Sequence, residues 1–585
     1  MSVGQNHISP ARDPSARTAA LGLGLVMAAC VAHASTYPFL VDDAYIYFRY
    51  AKNWVDGLGP VFNAGEAVEG YTGFLWLAWL RVAMGVGIRP ETAAFALGWT
   101  CSALTLVTIF RAWRRWFPDR PWAHALIAPA LLAVNRTFVA WSSGGLETAL
   151  FTFLVTIGWA RRLEERHEPG WFPWSGLFFA AATLTRLEGA LFFAMTLAAE
   201  AGLALRDRSA GRSRPMRPGR LAIGVALFAA PVIAHLLWRH HVYGAWLPNT
   251  FYAKVPGARF DTGLPYLATF LIEHAAFFVL PIALAGIIRP GDAGRRANVL
   301  FAWGSVTAYA FYIAAVGGDH FEYRLLHPIL PIVALLVADS CSVVEGQVKN
   351  GRSVAIALAV AVALVSGLIP QKLSRPFRPG AKPVTPYLGE MQFGTIARIP
   401  PFAHWFDLFN RTYAPVAAHL AGIRIENLRY GQNSQLAQAK QLRVAMDAGL
   451  VRRDDVIALG PVGIIPYVTG LTTVDIFGLT DATVARSPQP GSGLVAHEKQ
   501  APWAYLKKRG VAFIPLDSMG FFLSRQDIDR YRRPGSRDFY VAQIGHGFFA
   551  FYSTLPRAKI LEMMMTRGFA VHHFKDGEAI GMVGK

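Results

Sequence analysis

Apolar runs of membrane-crossing length recur along the first two thirds of the chain, near 20–40, 92–111, 122–141, 147–161, 172–185, 189–205, 220–239, 265–288, 298–316, 325–344 and 353–370. Short polar stretches separate them. The pattern predicts a polytopic α-helical membrane protein with about 11 transmembrane helices. The run 74–88 is apolar but short, carries Arg81 and is flanked by glycines, so it is read as a helix lying along the membrane interface. The first run ends Ala32-His33-Ala34-Ser35, a small-residue pattern that resembles a secretion cleavage site. We read it as an uncleaved first span.

Beyond 370 the pattern changes. Short apolar runs at 456–459, 473–477 and 511–515 read as strands, and 501–509, stopped by Gly510, reads as a helix. These predict a C-terminal soluble α/β domain. The expected division is a transmembrane catalytic domain over 1–370, with a first extracytoplasmic loop at 41–91, then an extracytoplasmic domain over 371–585. The proline-rich stretch 370–386 is its expected linker.

Composition agrees with the membrane class: 53% of residues are hydrophobic and 16% charged. The net charge of +19 invites a nucleic-acid reading, but Lys and Arg fall in short clusters between apolar runs, with no basic helix or stacking platform. No nucleic-acid partner is expected, and membrane lipids are. With 74–88 left out of the count, the clusters at 12–17, 111–120, 161–166, 206–220, 289–296 and 349–352 all fall on one side, the cytoplasmic one. The loops rich in mixed polar chemistry then lie outside a bacterial cytoplasmic membrane, with the C-terminal domain. Cys30, Cys101 and Cys341 lie inside apolar runs without motif spacing and read as small core residues.

Asp42 and Asp43 follow the first run, and adjacent carboxylates at a membrane surface are costly. Neighbouring side chains point in different directions, so one is expected to do chemistry while the other orients. The alternative is that they cap a helix beginning near Ala44. Arg186 and Glu188 occupy a tight turn, either as a local ion pair or as a phosphate contact. Lys254, Arg324 and His320 pose a similar choice between headgroup snorkelling and ligand contact. Asp319 and His320 follow Gly317-Gly318, where the backbone allows close approach of a ligand. No tight ligand cluster of the His-x-x-x-His kind points to a metal. In the C-terminal part, Asp475, Asp481, Trp503, Phe521 and Phe522 either line an acceptor site or are core and turn residues.

Asp42-Asp43, Arg49-Tyr50-Ala51-Lys52-Asn53 and the stretch 59–69 together resemble the first extracytoplasmic loop of GT-C glycosyltransferases. The likeness is closer to the terminal β-(1→2)-arabinofuranosyltransferase family. Further blocks follow in order: Ser143-Gly144-Gly145-Leu146-Glu147, Thr185-Arg186-Leu187-Glu188, Leu247-Pro248-Asn249-Thr250, Ala253-Lys254, Gly317-Gly318-Asp319 with Arg324, and Val474-Asp475-Ile476-Phe477-Gly478-Leu479. The resemblance implies a GT-C fold and transfer of a sugar, arabinofuranose in the nearest family, from a polyprenyl-phosphate donor to an extracytoplasmic glycan acceptor. The alternatives are another polyprenyl-phosphate sugar of the mannose, glucose or aminoarabinose type, or a lipid-linked sugar transporter. It further implies Asp42 and Asp43 as the catalytic pair and Arg186, Lys254 and Arg324 as donor phosphate contacts. Arg49, Glu66, Glu147, Glu188, Asn249, Asp319 and His320 are the implied sugar or substrate contacts. No cofactor and no divalent metal are expected. Leu187, His320 and Glu322 depart from the family pattern.

Overall fold

A computed structural model of the chain describes residues 14–117, 120–167, 171–209, 218–254, 257–274, 276–288, 293–347, 350–373, 411, 422–488, 499–517, 520–545, 547–576 and 578–583. The expected linker at 370–386 lies almost wholly outside these residues. Contacts divide the chain into two compact units: Met1–Pro38 with Glu91–Leu237 and Gly257–Asn427, and Phe39–Pro90 with Trp238–Pro256 and Leu428–Lys585.

Among the described residues, five helices are long and apolar enough to cross a membrane: Ala16–Ala34, Pro90–Trp116, Gly219–Tyr243, Arg295–Val316 and Arg324–Glu345. Shorter apolar helices include Trp122–Val134, Ser175–Thr185, Gly189–Leu205 and Gly351–Val362, so the protein is a multi-pass membrane protein. Two expected runs are interrupted. The run 122–141 breaks at Asn135, whose side chain accepts from the Phe138 N–H at 2.9 Å and starts a new helix, Arg136–Ala140. The run 265–288 divides into Phe260–Glu273 and Ala276–Ile288. Hydropathy averages over both breaks because long apolar runs lie on either side of the few polar residues there.

In the first unit the turn after helix Ala293–Val316 is fixed by a buried network. Glu322, 1% exposed, forms an ion pair with Arg136 (Nε–Oε1 3.2 Å), accepts from Arg136 Nη2 at 3.3 Å and accepts from the Ile425 N–H at 3.0 Å. Arg424 joins it, pairing with Glu273 at 2.8 Å and Glu322 at 3.5 Å, while Tyr323 donates to Glu273 at 2.8 Å. Phe321 and Ile423 form an isolated parallel bridge. Each buried charge here has a partner, as burial requires.

In the second unit β1 (Val456–Leu459) and β2 (Thr472–Asp475) pair in parallel through the short helix Ile464–Thr469. A mainly antiparallel sheet follows, built from β3 (Ile514–Pro515), β4 (Phe522–Leu523), β5 (Phe539–Ile544), β6 (Gly547–Tyr552), β7 (Val571–Lys575) and β8 (Glu578–Val583). Its order is β3-β6-β5-β7-β8, with β4 also on β6. Ala458, Val474, Val484, Leu506 and Val511 form one core, and Leu516, Ile528, Phe539, Val541 and Ala550 another. The expected first loop packs in this unit: helix Asp42–Val55 lies along Ile464–Thr469, and Phe74–Gly85 packs on Asp42–Val55. Hydropathy places that loop beside the spans it connects in sequence, whereas side-chain contacts place it with β1 and β2.

Candidate functional site

The acid pair belongs to the second unit. Val41 occupies the N-cap position of helix Asp42–Val55, so Asp42 and Asp43 fall in its first turn and the helix starts two residues before Ala44. Neither supplies a side-chain cap at Val41. Asp42 instead serves another helix: the Gly463 N–H donates to its Oδ2 and the Ile464 N–H to its Oδ1, both at 2.8 Å. Burial pushes its carboxyl up to about 7, reinforced by Asp43 and Asp475 and opposed by the two amides.

Arg49 lies two turns further along the same helix and is buried. Its Nε donates to the Phe62 carbonyl at 2.7 Å and Nη1 to the Pro466 carbonyl at 2.7 Å. Nη2 donates to Leu471 O at 2.8 Å and Asn63 Oδ1 at 3.1 Å. The implied role for Arg49 was a sugar contact; its donors go to backbone carbonyls, above all at the C-terminal end of Ile464–Thr469. Glu66 pairs with Arg509 and accepts from Asn63 at 3.0 Å. Asn249 is buried and donates to the carbonyls of Gly478 at 2.8 Å and Leu479 at 3.0 Å. These three residues tie the unit's segments together. Lys254 closes helix Asn249–Lys254, half-buried, with no ion pair among the described residues.

The first unit holds the other candidates. Arg186 sits between helices Ser175–Thr185 and Gly189–Ser209, with Nε 2.5 Å from Glu188 Oε1 and Nη1 2.7 Å from Glu147 Oε1. Against the cost of burial, Glu188 and Glu147 hold the guanidinium protonated well above its usual range. Arg324 grips Asp319 bidentately at 2.7 and 3.3 Å, and His320 Nδ1 lies 3.1 Å from Asp319 Oδ1. Burial alone would raise the Asp319 carboxyl, but Arg324 and His320 hold it well below the carboxylate range. Arg186 and Glu147 are among the charges acting on Arg324, so the two groups form one polar cluster. Glu147 is 2% exposed and its Oε2 has no hydrogen-bond partner. Among the described residues, no three His, Cys, Asp or Glu side chains converge as a metal site.

Several participants escape the sequence reading. Tyr309 and Tyr312, on helix Ala293–Val316, lie within the electrostatic reach of Arg186 and Glu188, and the buried Tyr309 hydroxyl has no partner. Their aromatic side chains blend into an apolar run. In the second unit Arg239, fully buried, pairs with Glu69 at 2.6 and 3.2 Å. Arg136 did carry a signal, being a charge inside an apolar run. The family departure at Glu322 has a physical account, since it neutralises Arg136 and Arg424. Asp475 is buried and accepts from the Phe477, Gly478 and Thr480 N–H groups at 2.8–3.1 Å. Asp481 caps helix Ala482–Ala485, Phe521 stacks on Phe549, and Trp503 packs against the β1–β2 core. These four serve turns and core. Phe522 lies in β4, half-buried, with its ring edge on Phe549.

A family described as a domain of unknown function, DUF8728, matches residues 426–554. The chain is 29% identical over 339 residues to the terminal β-(1→2)-arabinofuranosyltransferase of Mycobacterium tuberculosis, covering 51% of this chain and 51% of that protein. It is 26% identical over 344 residues to the protein of the same name from Corynebacterium glutamicum, covering 52% and 48%. The chain thus matches about half the length of these curated relatives. The crystal structure of ArnT from Cupriavidus metallidurans bound to undecaprenyl phosphate superposes with a TM-score of 0.57 at 13% identity, covering 92% of this chain and 98% of that one.

Proposed function

We propose that this chain, which has the GT-C fold and is homologous to the terminal β-(1→2)-arabinofuranosyltransferases, is a glycosyltransferase that moves arabinofuranose from a polyprenyl-phosphate donor to an extracytoplasmic glycan. The observation that carries this reading is the cluster in the first unit. Two guanidiniums, Arg186 and Arg324, are held by buried carboxylates, and a carboxylate oxygen of Glu147 lacks a partner. Fixed cations stabilise the charge that grows on a departing phosphate, and an unpartnered buried acceptor suits a sugar hydroxyl. Glu188, Asp319 and His320 orient the cations.

In the reaction the bond from the sugar's anomeric carbon to the phosphate oxygen breaks, and a bond to the acceptor oxygen forms. The acceptor proton passes to a carboxylate, and the phosphate leaves on the lipid. We assign the carboxylate to Asp42, with Asp43 orienting it, on the geometry of the second unit alone. An inverted product makes Asp42 a general base; a β-linked product from a β-linked donor makes it a nucleophile or points to a front-face route. The site and the C-terminal residues face the extracytoplasmic side of the bacterial inner membrane, following the one-sided basic clusters.

The test uses the full chain in proteoliposomes with synthetic polyprenyl-phosphoryl arabinofuranose and an arabinofuranoside acceptor. A new glycosidic bond, abolished by Asp42→Asn in folded protein, is the expected result. Movement of the lipid between leaflets with no bond formed overturns it in favour of transport. Mass spectrometry of the copurifying lipid checks the sugar, and a hexose or aminoarabinose headgroup overturns arabinofuranose.

A further inference from the structure

Four features of the second unit tie the stretch from β1 through β2 to the helix and loop that carry Asp42, and two of them meet Asp42 itself. First, two backbone amides meet its carboxyl, one on each oxygen, at 2.8 Å. That fixes rotation about the carboxyl and leaves a second lone pair on each oxygen. Second, Gly463 admits no side chain there, since a Cβ would stand 1.8 Å from the Asp42 carbonyl oxygen and 2.8 Å from its Cγ. Third, Arg49 holds the opposite end of the same short helix through the Pro466 and Leu471 carbonyls. A carboxylate meets the N–H end of Ile464–Thr469 and a guanidinium meets its C=O end, which matches the local dipole at both ends. Fourth, Asn63 exchanges two hydrogen bonds with the backbone of Thr473 in β2, at 2.9 and 3.1 Å.

Ordinary docking of a loop explains any one of these contacts. It does not explain why the tightest one, with no room for a methyl group, falls on the main chain and Cγ of the residue expected to react. We propose that residues 460–464, inside the stretch matched by the domain of unknown function, are the positioning element for the Asp42 carboxyl, with Gly463 its key residue. The inference rests on the reading of Asp42 as the reacting carboxylate. It gives this part of the C-terminal residues a place in the chemistry of the first loop, beyond any contact with the acceptor. Among the described residues, the ionisable groups acting most on Asp42 are Asp43 on its own helix and Asp475 at the end of β2.

The test compares the wild-type full chain with Gly463→Ala, and with Arg49→Lys as a milder change at the far end of the helix. One readout is the steady-state rate against pH with synthetic polyprenyl-phosphoryl arabinofuranose and an arabinofuranoside acceptor. The other is independent of turnover: carbodiimide coupling to Asp42, followed against pH by peptide mass spectrometry. The added methyl must push away the Asp42 main chain and, with it, the carboxyl, so kcat should fall on the order of 100-fold while KM changes less than about threefold. Amide donors favour the ionised carboxyl, so weakening them should move both the acid limb and the coupling midpoint up by about one pH unit. Arg49→Lys should move both the same way by less. Unchanged midpoints in folded variants, or a rate loss matched entirely by lost folded protein, overturn the proposal. If the wild type forms no glycosidic bond, the functional reading fails by itself, and the coupling midpoint still decides whether these residues hold the carboxyl.

Discussion

Arg49 separates two accounts of the same residue, a sugar contact or a buried staple, and the structure sets what each predicts. Its guanidinium makes four hydrogen bonds, three of them to the carbonyls of Phe62, Pro466 and Leu471. It also lies 4.3 Å over the Phe62 ring. Arg49→Met keeps much of the stem's volume and removes all four donors. Three carbonyl acceptors left short of partners at roughly 1–3 kcal/mol each, less the desolvation cost of the removed charge, give a net loss of about 3–5 kcal/mol. The loss falls on the local stability of Ile464–Thr469 and β2. Since 1.4 kcal/mol is a factor of ten, protection of the amides over 464–475 should drop by a factor on the order of 100 or more. Hydrogen–deuterium exchange on the purified full chain, read by mass spectrometry, measures this directly. Arg49→Lys, which keeps the charge but cannot reach three carbonyls at once, should fall between. Wild-type protection in Arg49→Met, together with a raised KM for donor or acceptor, would refute the staple and support the sugar contact.

Other expectations are simpler. With Asp42 required as the ionised carboxylate and its carboxyl held up to about 7, activity should fall as pH drops through about 7, because protonation there removes the reactive form; a rate that stays flat down to pH 5 refutes this. Glu322→Ala removes a buried carboxylate from beside Arg136 and Arg424 and orphans the Ile425 N–H, so unfolding in detergent should be easier by about 3–5 kcal/mol. Glu322→Gln, which keeps an acceptor oxygen, should cost less, and equal unfolding midpoints for both variants and the wild type would show the network is dispensable. Arg186→Gln should lower kcat/KM with the polyprenyl-phosphate donor by roughly 10–100-fold, as expected for one lost charge-assisted contact to the leaving phosphate. An unchanged value would remove Arg186 from the donor site.

Much of the fold is legible in the order of residues. Membrane-length apolar runs identify helices because the bilayer sets one length scale and hydropathy reports it directly. The strands at 456–459 and 472–475 and the helix after Pro502 show the same local logic in the C-terminal part. The breaks at Asn135 and after Glu273 are less visible, since two or three polar residues between long apolar runs scarcely lower a window average. The candidate residues were found as types in motifs, but their partners were not. Nothing local links Asp42 to Gly463, Glu69 to Arg239, or Glu322 to Arg136.

The sequence by itself determined that the chain is a multi-pass helical membrane protein, that an α/β segment follows the helices, and that acidic and basic residues gather in a few ordered blocks. Those properties follow from nearest neighbours along the chain: helix and strand periods, run length and charge spacing. Only the tertiary structure decided what each polar residue does with its donors and acceptors. Arg49 and Asn249 donate to backbone carbonyls, Asp475 accepts from backbone amides, Arg186 and Asp319 are held by buried partners, and Asp42 is gripped by the amides of Gly463 and Ile464. The reason is physical. A buried charge must find a partner wherever the fold supplies one, and partners hundreds of residues away leave no trace in local pattern.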